Sequence, residues 1–336
     1  MSQVNRITIA VSLLLLVPRF AGSAQPQAVV PHLGEDFIPL LQGRLLVRMP
    51  KGAKVEPRQY VTPEMPQDET RVVYEEGETK IVLRAQETFR LGHANYHQEL
   101  EKTVSGWGKE SGVTFSTSPL LKADGFEVTQ VTPSRVESTE DLVLLRTGFA
   151  HLPDNTIVIV SVSANPFAVR DAPTAANLAE SILKSIAPGK TVLDRSAGVR
   201  KLYIYSDKNV LAMSLPDGFT VTSDEGPDFL VHRCWKIKPF DQPSGSLGIY
   251  VGNMPHLFHL IRDKSSMILA KVPGRLLGQK VEWFDARPRG GVSGNQSRLT
   301  EAILAKKGFH VFFTSRNDEE FKEFKSIAQS LKIEPK

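Results

Sequence analysis

Cysteine is almost missing from this chain: Cys234 is the only one in 336 residues. No disulfide can form within the molecule, and no Cys-x-x-Cys redox or zinc motif exists. Charge of one sign is also lacking, with 41 basic residues against 37 acidic ones. Removing Arg6 and Arg19 with an N-terminal leader leaves 39 against 37, which excludes a broad basic field for nucleic acid. There is no His-Glu-x-x-His zinc motif, no phosphate-binding P-loop and no Gly-x-Gly-x-x-Gly dinucleotide turn. Catalytic residues are usually far apart in sequence, so these absences lower the case for an enzyme without removing it. The longest apolar run, Ile7 to Val17, is about half of the roughly 20 residues that a membrane helix needs.

What is there begins with that run. Arg6 precedes it, and the small residues Ala21-Gly22-Ser23-Ala24 follow, the three-part layout of a secretory signal peptide. Residues 1–24 are expected to be a leader cleaved near Ala24, and the mature chain to be periplasmic or secreted, with no transmembrane segment. A 41% hydrophobic composition over this length supports two cores of ordinary size. Lone Cys234 sits in the apolar run FLVHRCWKI and reads as a buried structural thiol.

The chain is written twice. PHLGEDFIPLLQGRLLVRMPKGAKV (31–55) matches AGVRKLYIYSDKNVLAMSLPDGFTV (197–221): an apolar strand, a polar turn, and a second strand ending in Met49-Pro50 or Leu215-Pro216 before a glycine. TKIVLRAQETFRLGHANYHQEL (79–100) parallels SLGIYVGNMPHLFHLIR (246–262), a strand running through Gly92 or Gly252 into an expected helix. A strand pair and closing helix in 148–186 recur in 304–333. The closing helices show apolar faces at Leu178, Ile182 and Ile186, and at Phe321, Phe324, Ala328 and Leu331, with Asp171 or Asn317 and Asp318 as N-cap candidates. Middle strands are expected at 125–133, 138–149, 281–287 and 297–305. The domains are then 31–188 and 197–336, joined by a linker at 189–196.

Strands that follow one another without helical crossovers point to antiparallel sheets. The expected fold class is α+β: two tandem copies of an antiparallel sheet flanked by helices. The Met/Leu-Pro-x-Gly opening, the meander and the final AESILKSI-type helix resemble the PsbP-like fold, shared by extrinsic photosystem subunits, a Ran-binding nuclear transport factor and exported bacterial proteins of the DcrB type. The resemblance covers nearly all of 31–336 and rests on element order, with no diagnostic motif. It implies an exported, non-enzymatic binding or assembly accessory protein of the cell envelope with a protein partner, and it carries over no site residues.

Two histidine pairs invite a different reading. His93 and His97 lie four apart at a helix start, and His256 and His259 three apart in the second copy; such pairs share a helix face and can ligate one metal ion. However, a helical wheel sets His93 among Tyr96, Leu100, Val104 and Trp107, and aligning Gly92 with Gly252 puts His97 opposite Leu257. That favours boundary histidines over a ligand set. The alternatives therefore kept open are an exported metal binder using His93, His97, His256 or His259, and an enzyme with an inter-domain site for which no residue can be nominated. Asp224, Glu225 and Asp228 read as a solvated turn, and Arg287 and Arg289 as part of a hairpin connection. Asn295-Gln296-Ser297 is a glycosylation sequon of weak specificity. Trp235 and Tyr250 are the aromatic candidates for partner contact, with core packing the stronger reading.

Overall fold

In the computed structural model, the described residues are 31–56, 69–92, 96–111, 114–123, 125–133, 142–165, 172–206, 208–226, 228–239, 242, 245–253, 257–260, 267–289 and 297–336. Two units divide them, one holding the residues up to Val192 and the other Leu193–Lys336.

The first unit opens with β1 (Ile38–Leu40), β2 (Leu45–Val47) and β3 (Lys54–Val55), then β4 (Glu69–Glu76), β5 (Thr79–Leu91) and helix α1 (Tyr96–Ser111). Strands β6 (Phe115–Ala123), β7 (Phe126–Pro133), β8 (Val143–His151) and β9 (Thr156–Ala164) follow, then α2 (Ala172–Lys184) and β10 (Ala187–Pro188). The large sheet runs β3-β4-β5-β9-β8-β7-β6, and β1-β2-β10 form a small one.

Strand for strand, the second unit repeats this. Its elements are β11 (Gly198–Tyr203), β12 (Asn209–Leu215), β13 (Phe219–Glu225), β14 (Phe229–Lys236), β15 (Lys238–Pro239), β16 (Ser246–Gly252), β17 (Met267–Leu276), β18 (Gln279–Pro288), β19 (Arg298–Leu304), β20 (Phe309–Ser315), α3 (Asp318–Ser330) and β21 (Lys332–Pro335). The large sheet runs β13-β14-β16-β20-β19-β18-β17 and the small one β11-β12-β21. Every strand pairing in both units is antiparallel.

This corrects the expected α+β class with helices flanking each sheet. Antiparallel strands dominate the described residues, and helix of more than one turn is confined to α1, α2 and α3. Two physical causes stand out. The edge strands β6 and β17 contain Pro119 and Pro273, which break the sequence pattern of a strand yet are tolerated at a sheet edge, so strands were under-counted. Where a helix is expected after Gly252, the described residues hold a single 3-10 turn, Phe258–Leu260.

Alternation along the strands places each core. In the first unit Leu83, Val128, Val158 and Val160 face Ile182 and Leu183 of α2. In the second, Leu247, Val311 and Phe313 meet Phe324, Ile327 and Ala328 of α3, and burying a ring such as Phe324 stabilises by about 2–3 kcal/mol. Asn317 caps α3 by accepting from the Glu320 amide at 2.9 Å. Arg298 of β19 ties the helix down: its guanidinium lies 3.3 Å from the Phe321 ring centroid and donates to Asp285 at 2.6 and 2.7 Å. Cys234 is buried, and burial pushes its thiol well above the usual range, as expected of a structural cysteine. Among the described residues no helix is long and apolar enough to cross a membrane.

Candidate functional site

A buried polar cluster in the second unit centres on Glu301 of β19. This strand alternates, with Ala302 and Leu304 facing the α3 side. Leu299 therefore faces the opposite side with Phe258, Ala286 and Phe312, and Glu301 shares that side. Glu301 is fully buried, and its carboxylate accepts from four donors: the Phe258 amide at 2.8 Å, the His259 amide at 2.7 Å, His259 Nδ1 at 2.8 Å and His310 Nε2 at 2.8 Å. His259 stacks on Phe284 with ring centroids 4.4 Å apart, and His310 lies 4.9 Å from the Phe258 ring. Burial alone raises a carboxyl pKa, but the His310, amide and His259 hydrogen bonds outweigh it and hold Glu301 below its usual value.

The first unit explains why the carboxylate is there. Leu91 opposite Thr156 matches Val251 opposite Phe309, so Ile159 corresponds to Phe312 and their partners Phe149 and Glu301 occupy one position. In the first copy that position is a buried phenylalanine, with Tyr96 Oη of α1 lying 3.5 Å from its carbonyl. In the second copy the described residues there form a 3-10 turn, and Glu301 satisfies the turn's amides in place of helix bonds. Both carboxylate oxygens are consumed in doing so.

The first unit has its own buried network. Leu41, Gln42 and Gly43 all adopt left-handed φ values and turn Arg44 inward. Its guanidinium pairs with Glu87, donates to Asp154 Oδ2 at 3.0 Å and reaches Thr156 Oγ1. Neither network recurs in the other copy, since Glu301 corresponds to Phe149. The copies share a frame and keep private polar cores.

Of the four proposed ligands, His93 and His256 lie outside the described residues. His97 is half-exposed on α1, with Nε2 2.9 Å from Glu127 Oε1 on β7. His259 has Nδ1 committed to Glu301. Among the described residues no three His, Cys, Asp or Glu side chains gather in a metal-holding group. His97 instead joins Tyr96 and His151, with centroids 5.4 and 5.2 Å from the Tyr96 ring; burial lowers the His151 pKa.

The remaining candidates fall into packing roles. Asp224 and Glu225 end strand β13, and Asp224 lies 3.4 Å from Arg233 Nε. Arg287 donates to Asp285 at 2.9 Å; Arg289 is an exposed turn residue, and 290–296, with Asn295, lie outside the described residues. Tyr250 is buried and stacks on Phe229 at 5.7 Å, and Trp235 Nε1 donates to Thr222 at 3.3 Å. Among the described residues the aromatics most open to solvent are Tyr203, Tyr205 and Phe37, 46%, 42% and 42% exposed; the Phe37 ring carries the Arg48 guanidinium 4.6 Å from its centroid, and the two tyrosines stand together. The sequence signal for the tyrosines is the alternation in KLYIYS, which marks a strand without saying which face meets solvent. Comparison with known proteins returns nothing: no family model, curated protein or solved structure matches the chain.

Proposed function

We propose that this chain is an exported, non-enzymatic accessory protein of the cell envelope that binds a protein partner through the outer face of β11. Export rests on the residue pattern of 1–24, which lies outside the described residues. The observation that carries the binding reading is the exposed aromatic pair. Val199, Lys201 and Tyr203 share the outer face of β11, and Tyr205 adds its ring edge-on to Tyr203 at 5.6 Å. Tyr205 sits at φ 44°, a strained position for a tyrosine, and is held there by its hydroxyl donating to the carbonyls of Phe229 at 2.8 Å and Gly226 at 3.1 Å. The ring is thereby fixed in solvent, and a rigid exposed aromatic is the residue type that anchors protein interfaces. Lys201 shares the face of Tyr203 and the Lys336 Nζ lies 5.6 Å from its ring, while Glu225 and Asp228 act on Tyr205, so the face carries both signs and suits a partner surface of mixed charge.

The test is affinity capture from envelope extracts with the mature chain, beside Tyr203→Ala. A partner recovered by wild type and weakened about tenfold by the variant is expected, the size of one interface anchor. Equal recovery by both, or no partner at all, overturns the reading. The metal-binding alternative keeps one observation, the half-exposed His97 beside Glu127. Elemental analysis of the purified protein and His97→Ala decides it, because equal metal in both removes His97 as a ligand.

A further inference from the structure

We infer that two copies of this chain associate through the free edge of β17, joining their large sheets across a two-fold axis at Ala270. This rests on observations separate from the β11 face. β17 ends the sheet, and among the described residues it pairs only with β18. Along it Ile268, Leu269 and Val272 are 51%, 47% and 42% exposed, an apolar stretch that Lys271 and Pro273 blunt only in part. The matching edge of the first unit is blunted: β6 is broken by a bulge between Pro119 and Leu121. β17 pairs in unbroken register with β18 from Met267 to Leu276.

Pro273 sets the parity of the edge. Having no N–H, it sits in a paired strand with its nitrogen turned away from the neighbour, so Leu269 and Lys271, at the same parity, also direct their amides outward. An antiparallel second copy then bonds odd residues to odd ones. Centred on Ala270, Leu269 exchanges hydrogen bonds with Lys271 of the other copy, and the reverse. On one face Ile268 lies opposite Val272 on either side of an Ala270 pair, an apolar stripe across the junction. On the other face the Lys271 stem covers Leu269, and its ammonium is already held by Glu282 at 3.0 Å. A centre at Lys271 would oppose two ammoniums, and one at Leu269 would leave Val272 outside the paired strand. The charge pattern and the β-branched pair both select Ala270.

The experiment is engineered cross-linking with sedimentation of the full mature chain. Cys234 is buried, so a new thiol reports alone. Ala270→Cys should form a covalent dimer on mild oxidation, because directly opposed residues at a non-hydrogen-bonded site lie about 4.5 Å apart. Val272→Cys should not, since in this register the two thiols stand four residues apart, about 13 Å. Sedimentation at about 100 µM should show a wild-type dimer, a concentration suited to a small edge contact. Lys271→Pro removes an outward N–H and no main-chain bond to β18, giving up only exposed side-chain contacts to Glu282 and Phe284, and should return monomer with little change in thermal stability. A wild-type monomer with no cross-link, a dimer indifferent to Lys271→Pro, or equal cross-linking by Val272→Cys each overturns the proposal. So does capture of a foreign extended segment on β17 by a chain that stays monomeric.

Discussion

Glu301 shows how one buried charge replaces a stretch of helix. Its four donors are two main-chain amides and two imidazoles, all within 3 Å. Glu301→Gln keeps the shape but replaces one acceptor oxygen with an amide NH2 that faces donors. The loss is expected to be about 3 kcal/mol at neutral pH, measured by urea unfolding. The sign with pH follows from the lowered folded pKa. The contribution is complete above the ordinary carboxyl value of 4.5 and is lost as pH falls through the lower folded value. The gap between wild type and variant should therefore close in acid. A gap that is constant with pH would mean that the carboxylate charge is irrelevant and only its shape matters.

At the level of elements, the repeated feature is a glycine amide held by a left-handed turn. Gly92 donates to the Asn155 carbonyl at 2.7 Å, and Gly252 to the Gly308 carbonyl at 2.9 Å; Asn155 and Gly308 have φ of 63° and 67°. A Cβ on Gly308 would stand 2.4 Å from the Gly252 carbonyl oxygen in addition to the backbone strain. Gly308→Ala should therefore lower stability by about 2 kcal/mol or more, and Asn155→Ala by about 1 kcal/mol, both read from thermal melts. Equal losses would show that the close approach to Gly252 costs nothing. The pairing of Gly92 with Gly252 was legible in the sequence, as were the closing helices and the strands of 156–164 and 310–315, because long periodic segments and glycines at strand ends are local signals. The β6 and β17 edges were not, since Pro119 and Pro273 read as breaks until a sheet places them at its rim. The 3-10 turn after Gly252 was hidden for another reason: what replaces the helix is Glu301, more than 40 residues downstream. The same distant carboxylate holds His259, so the role of this histidine in the turn is not legible from local spacing.

The molecule as a whole carries groups that penalise acid in two separate pH windows. His151 in the first unit and His232 in the second both have pKa values lowered by burial. His232 is wedged between Ser223 Oγ at 2.7 Å and the Tyr203 carbonyl at 2.8 Å, so it links the large sheet to β11. A histidine held neutral by the fold stabilises fully above its unfolded value near 6.5, and that stabilisation is lost as pH falls through the lowered one. Asp285 opposes its own burial through Arg298 and Arg287 and, with Glu301, acts lower, below the ordinary carboxyl range. The second unit should thus weaken in two steps. Trp235 and Trp283 belong to the second unit, so tryptophan fluorescence reports mainly on it. Melts from about pH 8 to about pH 3 should show its midpoint falling first below about 6.5 and again below about 4. His232→Gln should lower the midpoint at neutral pH and flatten the upper step, leaving the lower one. An upper step that survives in that variant would assign it elsewhere and remove His232 as the group coupling β11 to the core, and with it the pH sensitivity expected of the Tyr203 face.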